Sequence, residues 1–114
     1  MKKFIVIFFL FSLIAKAQPG KEAWQWTFGS CAGIDFSSGT AVSYTVPWFN
    51  SLINCASISN PNTGQLIMYT NGLSIENSTN HPIYDGVGLF GHTNSSQGTL
   101  IIPKPGSNNI YYII

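Results

Sequence analysis

The stretch that most constrains the fold runs from Cys55 to Asn77, CASISNPNTGQLIMYTNGLSIEN, where short apolar runs are separated by tight polar turns. Cys55 to Ser59 reads as one strand, the Asn60-Pro61-Asn62-Thr63-Gly64 cluster turns the chain, and Gln65 to Thr70 carries the run LIMY as a second strand. Asn71-Gly72 is a strong hairpin signal, because both residues tolerate the left-handed backbone that a tight turn between twisted strands requires. A third strand then runs to Asn77, and the segment is a β-meander.

The flanking sequence extends the pattern. Trp24-Gln25-Trp26-Thr27-Phe28 alternates aromatic with polar at period two, as a half-buried strand does, and predicts its aromatic face as core. Cys31 to Thr40 reads as a loop with Gly33 and Gly39 at turns and with Ile34 and Phe36 pointing inward. Ala41 to Val46 is a strand that Pro47 stops, and Trp48-Phe49 follow near a turn. Beyond Asn77, a polar run through Pro82 leads into Ile83 to His92, where glycines at 86, 88 and 91 make a regular helix improbable. The loop from Thr93 to Gly98, the strand at Thr99 to Ile102 and the strand at Ile110 to Ile114 complete the chain. No stretch after the first residues shows sustained helical periodicity, so the fold class is all-β, built from antiparallel meanders.

An internal repeat accompanies the meander. ISNPNTGQLIMY at 58–69 and IIPKPGSNNIYY at 101–112 share an apolar strand, a turn containing Pro or Gly and an apolar-aromatic strand, displaced by 43 residues. That period falls among the roughly 40–50-residue blades of β-propellers, each a four-stranded antiparallel sheet. A propeller needs about four blades or more. The chain is therefore expected to hold about two blades, as the truncated N-terminal part of a propeller-like domain.

The first residues predict export. Met1-Lys2-Lys3 is a basic start, Phe4 to Ile14 is an almost unbroken apolar run, and Ala15-Lys16-Ala17 places small residues where a signal peptidase reads them. Residues 1–17 thus read as a signal peptide handed to the export machinery, and 18–114 as the mature chain. The apolar run is shorter than the about 20 residues a membrane helix needs, and no cysteine follows the cleavage site, so no stable membrane anchor is expected. The mature chain keeps two basic residues, Lys21 and Lys104, against Glu22, Asp35, Glu76 and Asp85, a net charge of −2. Such a chain has no basic patch to neutralise phosphates, which excludes nucleic acid as a partner. The expected location is secreted or cell-surface.

Several residues invite a chemical reading. Cys31 and Cys55, in an exported chain, are either a disulfide or two small buried thiols. His81, Asp85 and His92 are the residue types of a metal site, but histidines beside Pro82 and Gly91 more often bond within their own loops, and no metal or other cofactor is expected. Asp85 and His92 with Ser95 or Ser96 lack the strand-turn-helix elbow of an acyl-transfer triad. Nothing in the sequence places two of Asp35, Glu76 and Asp85 at the separation glycoside hydrolysis needs. No catalytic residue is assigned. The aromatic residues Trp24, Trp26, Trp48, Phe49, Tyr84 and Phe90 lie among Asn, Ser and Thr, a mixture suited either to core packing or to stacking on sugar rings. Trp48 and Phe49, after Pro47, are the pair expected at the surface, with Tyr84, His81, Asp85 and His92 in the loops that face a ligand.

The ordered motifs WTFG (26–29), AGIDF (32–36), CASIS with a turn and GQLIMYTNG (55–72), GVGLFGH (86–92) and SSQGTLIIPKPGSNNIYYI (95–113) resemble the N-terminal region of large secreted Bacteroidetes proteins. Those are type IX secretion substrates that end in a gliding-motility-associated C-terminal (type B) sorting domain. The resemblance implies the opening blades of a propeller-like domain in an adhesion-type protein. Its function would be non-catalytic: presenting loops, above all Asn77 to Gly98, to a glycan or a cell-surface partner. The alternative is the leading part of a secreted polysaccharide-acting enzyme whose catalytic residues lie beyond Ile114. Two positions depart from the family pattern. Ile53-Asn54 stands where an acidic residue and glycine are common, and Asn71 where a T-D-G turn has aspartate.

Overall fold

The computed structural model describes residues 20–114; the expected signal peptide, residues 1–17, lies outside the described residues. Nine strands and no helix are formed among them. β1 (Gln25–Phe28), β2 (Ser30–Asp35) and β3 (Val42–Asn50) make a three-stranded sheet. β4 (Ala56–Ser59), β5 (Leu66–Thr70), β6 (Ser74–Asn77) and β7 (Pro82–Val87) make a four-stranded meander, and β8 (Ile101–Pro103) pairs with β9 (Tyr111–Ile113). Every pairing is antiparallel.

The four-stranded sheet follows from three asparagines. Asn60 Oδ1 accepts the N–H groups of Asn62 and Thr63 at 2.9 and 3.1 Å, and Asn71 Oδ1 those of Leu73 and Ser74 at 3.0 and 3.1 Å. Asn77 Oδ1 accepts from Thr79 and His81 at 2.9 and 3.1 Å. Each side chain bonds backbone N–H groups that the turn would otherwise leave unpaired, so each hairpin reverses at an asparagine. Asn71 thus performs the turn-capping an aspartate would. It also donates its Nδ2 to the Asn50 carbonyl at 3.1 Å, which a carboxylate cannot do.

The first sheet corrects two expectations. Cys31 to Thr40 is not a loop throughout, because Ser30 to Asp35 forms β2. Gly33 is no turn residue: it pairs with Tyr44, whose ring lies over it where a Cβ would sit. Nor does Pro47 stop β3, which continues to Asn50. Ser30 pairs with Asn50 and Ala32 with Thr45, so Val46 to Phe49 bulge out opposite the single residue Cys31. Pro47 lies inside the bulge, where its missing N–H breaks no ladder bond.

That bulge sets the core. Simple alternation from buried Val46 would turn Trp48 inward and Phe49 outward. Instead Trp48 takes a left-handed φ of 66°, and the side-chain sequence inverts. Phe49, 3% exposed, packs edge-to-face on fully buried Tyr69 with ring centroids 5.0 Å apart. Val46 joins them, with Tyr44, Cys55 and Leu66 against the cluster, so the β3 face of one sheet closes on the β5 face of the other.

β1 reverses the face expected of it. Thr27 is buried, whereas Trp26 and Phe28 are exposed. The reason is the strand's free edge. Gln25 and Thr27 donate their N–H groups to the hydroxyls of Ser59 and Ser57 at 3.2 and 3.3 Å, and Ser57 donates to the Gln25 carbonyl at 3.1 Å. Two serines of β4 satisfy an edge that would otherwise need another strand. Ser59 also donates its own N–H to the Glu22 carbonyl at 2.8 Å.

Both copies of the repeat fold as hairpins, 58–69 within β4–β5 and 101–112 within β8–β9, but in different registers. Ile58 pairs with Met68, while Ile101 pairs with Ile113. The sheets do not close into a ring among the described residues.

Two outcomes follow. Ser59→Ala leaves the Gln25 N–H without its acceptor and is expected to lower stability by about 1–3 kcal/mol in urea unfolding. Burial, then the charge of Glu76, then Tyr44, push the Tyr69 phenol up to about 12 from an ordinary value of 10. Unfolded chains then lose this proton first, so Tyr69's contribution is full below about pH 10 and is lost as pH rises from there through 12. Melting temperatures over that window should fall less steeply in Tyr69→Phe.

Candidate functional site

The bulge that buries Phe49 projects Trp48 into solvent, where its side chain is 94% exposed. A strand bulge beside a cleft is a common way to re-aim a side chain. Beneath Trp48 lies a pocket of about 150 Å³ whose walls are Pro47, Phe49, Tyr69, Glu76, Asn80 and Pro82. β3 supplies one wall, and β5, β6 and the β6–β7 turn supply the others.

Register explains how these residues meet. Tyr69 pairs with Glu76 and Glu76 with Pro82, so the three share one face across β5, β6 and β7. Tyr84, in β7, is 94% exposed; the register shift between the Glu76–Pro82 and Ser74–Val87 pairs and the left-handed φ of Asp85 break strand alternation around it. The Tyr69 hydroxyl donates to Asn80 Oδ1 at 2.8 Å, which fixes the amide and leaves Nδ2 as its donor. Asn80 itself holds a left-handed φ of 62°. Glu76 Oε1 accepts from the Ser74 hydroxyl at 2.5 Å, while Oε2 is buried with no hydrogen-bond partner. A carboxylate oxygen in that state is costly, because the bonds it made to water are not replaced.

The structure distributes the sequence-derived candidates unevenly. Trp48 and Tyr84 are fully presented. Phe49 is corrected from ligand-facing to core, for the bulge turns it onto Tyr69. His81 is exposed and its Nδ1 donates to the Thr79 carbonyl at 2.8 Å, within its own turn. His92 is also exposed; its Nδ1 accepts the Asn94 N–H at 3.1 Å and its carbonyl accepts from Asn54 Nδ2 at 3.1 Å. That second bond, with Ile53 and Asn54 both donating to the Thr93 carbonyl at 3.1 Å, gives buried Asn54 a tethering role at one of the two departures from the family pattern. Asp85 is exposed at a left-handed φ of 55°. No cluster of three or more His, Cys, Asp or Glu side chains suited to a metal forms among the described residues. Cys31, at the bulge, and Cys55, just before β4, are free and half-buried, and burial pushes the Cys55 thiol up in pKa.

Sequence reading missed Glu76 and Asn80 as site residues. Glu76 carries a weak signal: an acid in a short strand beside buried Ile75, on the face that also holds Tyr69. Asn80 was hidden in a polar turn whose composition suggests only reversal.

A larger concavity, an open trough of about 880 Å³, runs between β1, β4 and β8 and is lined by Trp26, Phe28, Ile34, Ile58, Ile101 and Pro103. It is almost wholly apolar. Glu22, Thr27 and Ser57 are the polar residues among its walls, and the Ser57 hydroxyl is taken up by the backbone of β1.

Comparison with models of known protein families, with characterised proteins and with solved structures finds no match.

The unpartnered Glu76 oxygen generates a direct expectation. In the ligand-free chain, Glu76→Gln removes a buried charge and keeps the side chain's shape, so stability should rise by about 1 kcal/mol. Thermal unfolding of the two forms measures it.

Proposed function

We propose that the chain is a non-catalytic, secreted or cell-surface β-repeat module that binds glycan through the Trp48 face. The observation that carries the reading is Trp48 itself, a flat aromatic held in solvent by a left-handed backbone at the mouth of a pocket with polar groups. Sugar rings present an apolar face of C–H groups and an edge of hydroxyls. An exposed indole suits the first, and a carboxylate with an amide suits the second.

The wider setting of the reading comes from the sequence. The N-terminal export signal and the resemblance to gliding-motility-associated adhesins both suggest an exported module whose partners lie outside the cell. The four-stranded meander β4–β7 has the strand number and order of a propeller blade, and β8–β9 stands where a second blade would begin at the 43-residue spacing. In such an array the sheets are scaffold and the bulges and turns between them carry binding.

The test is titration of the full chain with soluble tetrasaccharides, followed by tryptophan fluorescence. Binding should be in the micromolar to millimolar range, and Trp48→Ala should weaken it about tenfold, or 1.4 kcal/mol. The melting point should stay within about 2 °C, since alanine meets the same backbone strain and little packing is lost. Unchanged affinity in Trp48→Ala would remove the basis of the reading.

A further inference from the structure

We propose that the pocket under Trp48 takes the ammonium group of an amino sugar, with Glu76 as its counter-ion and the sugar ring on Trp48. The inference rests on the glycan reading and names the class of glycan: one that carries free, unacetylated amines.

Four observations converge. Glu76 lines the pocket, and its Oε2 is buried without a partner, while Oε1 is already bonded to the Ser74 hydroxyl. A buried anionic oxygen lacking a donor is best satisfied by a cation that also donates hydrogen bonds, and an alkylammonium has three N–H groups to give. Three of the remaining walls are aromatic, Trp48, Phe49 and Tyr69; the last two belong to the core, and the exposed Trp48 ring is the π surface available to a cation. The pocket holds about 150 Å³. Sites that engulf a whole drug-sized ligand begin near roughly 300 Å³. The space therefore suits one ring substituent, with the ring left outside against Trp48.

The fourth observation is that, among the described residues, no lysine or arginine lines the pocket. Of the two lysines among the described residues, Lys21 holds its Nζ over the Trp24 ring, 4.5 Å from the centroid, and Lys104 follows β8 in the last hairpin. The nearby His81 directs Nδ1 to the Thr79 carbonyl. Asn80, whose Oδ1 is taken by the Tyr69 hydroxyl, keeps its amide N–H groups for a neighbouring sugar hydroxyl. A lysine side chain would also fill the pocket. The sugar is preferred because Trp48, 94% exposed, offers a flat face that a lone lysine stem would leave unused.

The experiment titrates the full chain at pH 6 with three tetrasaccharides, of glucosamine, of N-acetylglucosamine and of glucose, and with a tetralysine peptide. The glucosamine tetramer should bind at least tenfold more tightly than the other sugars and than tetralysine, and the advantage should shrink with added salt. Glu76→Gln should abolish the advantage, bringing the glucosamine tetramer within twofold of the glucose tetramer measured on the same variant. The exposed-acid control Asp85→Asn should preserve it, and a single cooperative melt in both variants shows that they fold. Equal binding of the acetylated or neutral sugar overturns the ammonium assignment but leaves the glycan reading standing. Tighter binding of tetralysine overturns the assignment in favour of a protein ligand. Failure of all three sugars to bind sinks the glycan reading and this inference together.

Discussion

The edge-to-face contact between Phe49 and Tyr69 is the interaction on which the rest of the molecule depends. It closes one sheet on the other, and it exists only because the bulge of β3 breaks strand alternation between Val46 and Phe49. A regular strand would have placed the larger indole of Trp48 against Tyr69. The same backbone irregularity therefore decides both what fills the core and what stands in solvent, so core and candidate site cannot be varied independently. An aromatic pair of this geometry contributes about 0.5–1.5 kcal/mol beyond its burial. The strain of one left-handed non-glycine residue is of order 1–3 kcal/mol.

A second constraint is the handling of edges. A chain of short strands in small sheets has many unpaired backbone groups, and few charged side chains are available to protect them. β4 solves this for β1 with Ser57 and Ser59, whose hydroxyls bond Gln25 and Thr27 where a ladder would be. The consequence is that the polar side of β1 faces inward. Its aromatic side, Trp26 and Phe28, is left along the apolar trough with Ile34, Ile58 and Ile101.

What was legible in the sequence divides along these lines. The all-β class and the hairpins of the meander were readable, because turn chemistry is local: an asparagine at 60, 71 or 77 caps its own turn whatever surrounds it. The extent of β2 was not readable, since Gly33 looks like a turn residue until the Tyr44 ring is seen to occupy the place of its missing side chain. The β1 faces were misassigned because alternation reveals that two faces differ, not which one is inside. That choice was made by serines 30 to 34 residues away. Trp48 was readable as an exposed aromatic from the preceding proline, but Phe49 was grouped with it because a bulge has no signature in composition. Glu76 and Asn80 join the site only through register between β5, β6 and β7, a tertiary fact.

The candidate site gathers features that work against stability. A tryptophan in the left-handed region, a second left-handed residue at Asn80 and a carboxylate oxygen buried without a donor all border one small pocket. Two have a simple remedy, since glycine suits the backbone of position 48 and an amide of the same shape would remove the charge at 76; Asn80, which tolerates its backbone, is needed as the acceptor of the Tyr69 hydroxyl. Features of both kinds also occur away from the pocket, at Thr27 Oγ1 and Asn54 Oδ1, which are buried without partners, and at left-handed Cys31, Asp85 and Gln97; what sets the pocket apart is that both kinds meet at it. Strain and an unpartnered carboxylate oxygen meet at this one opening, and the ligand proposed for it would supply the missing partner.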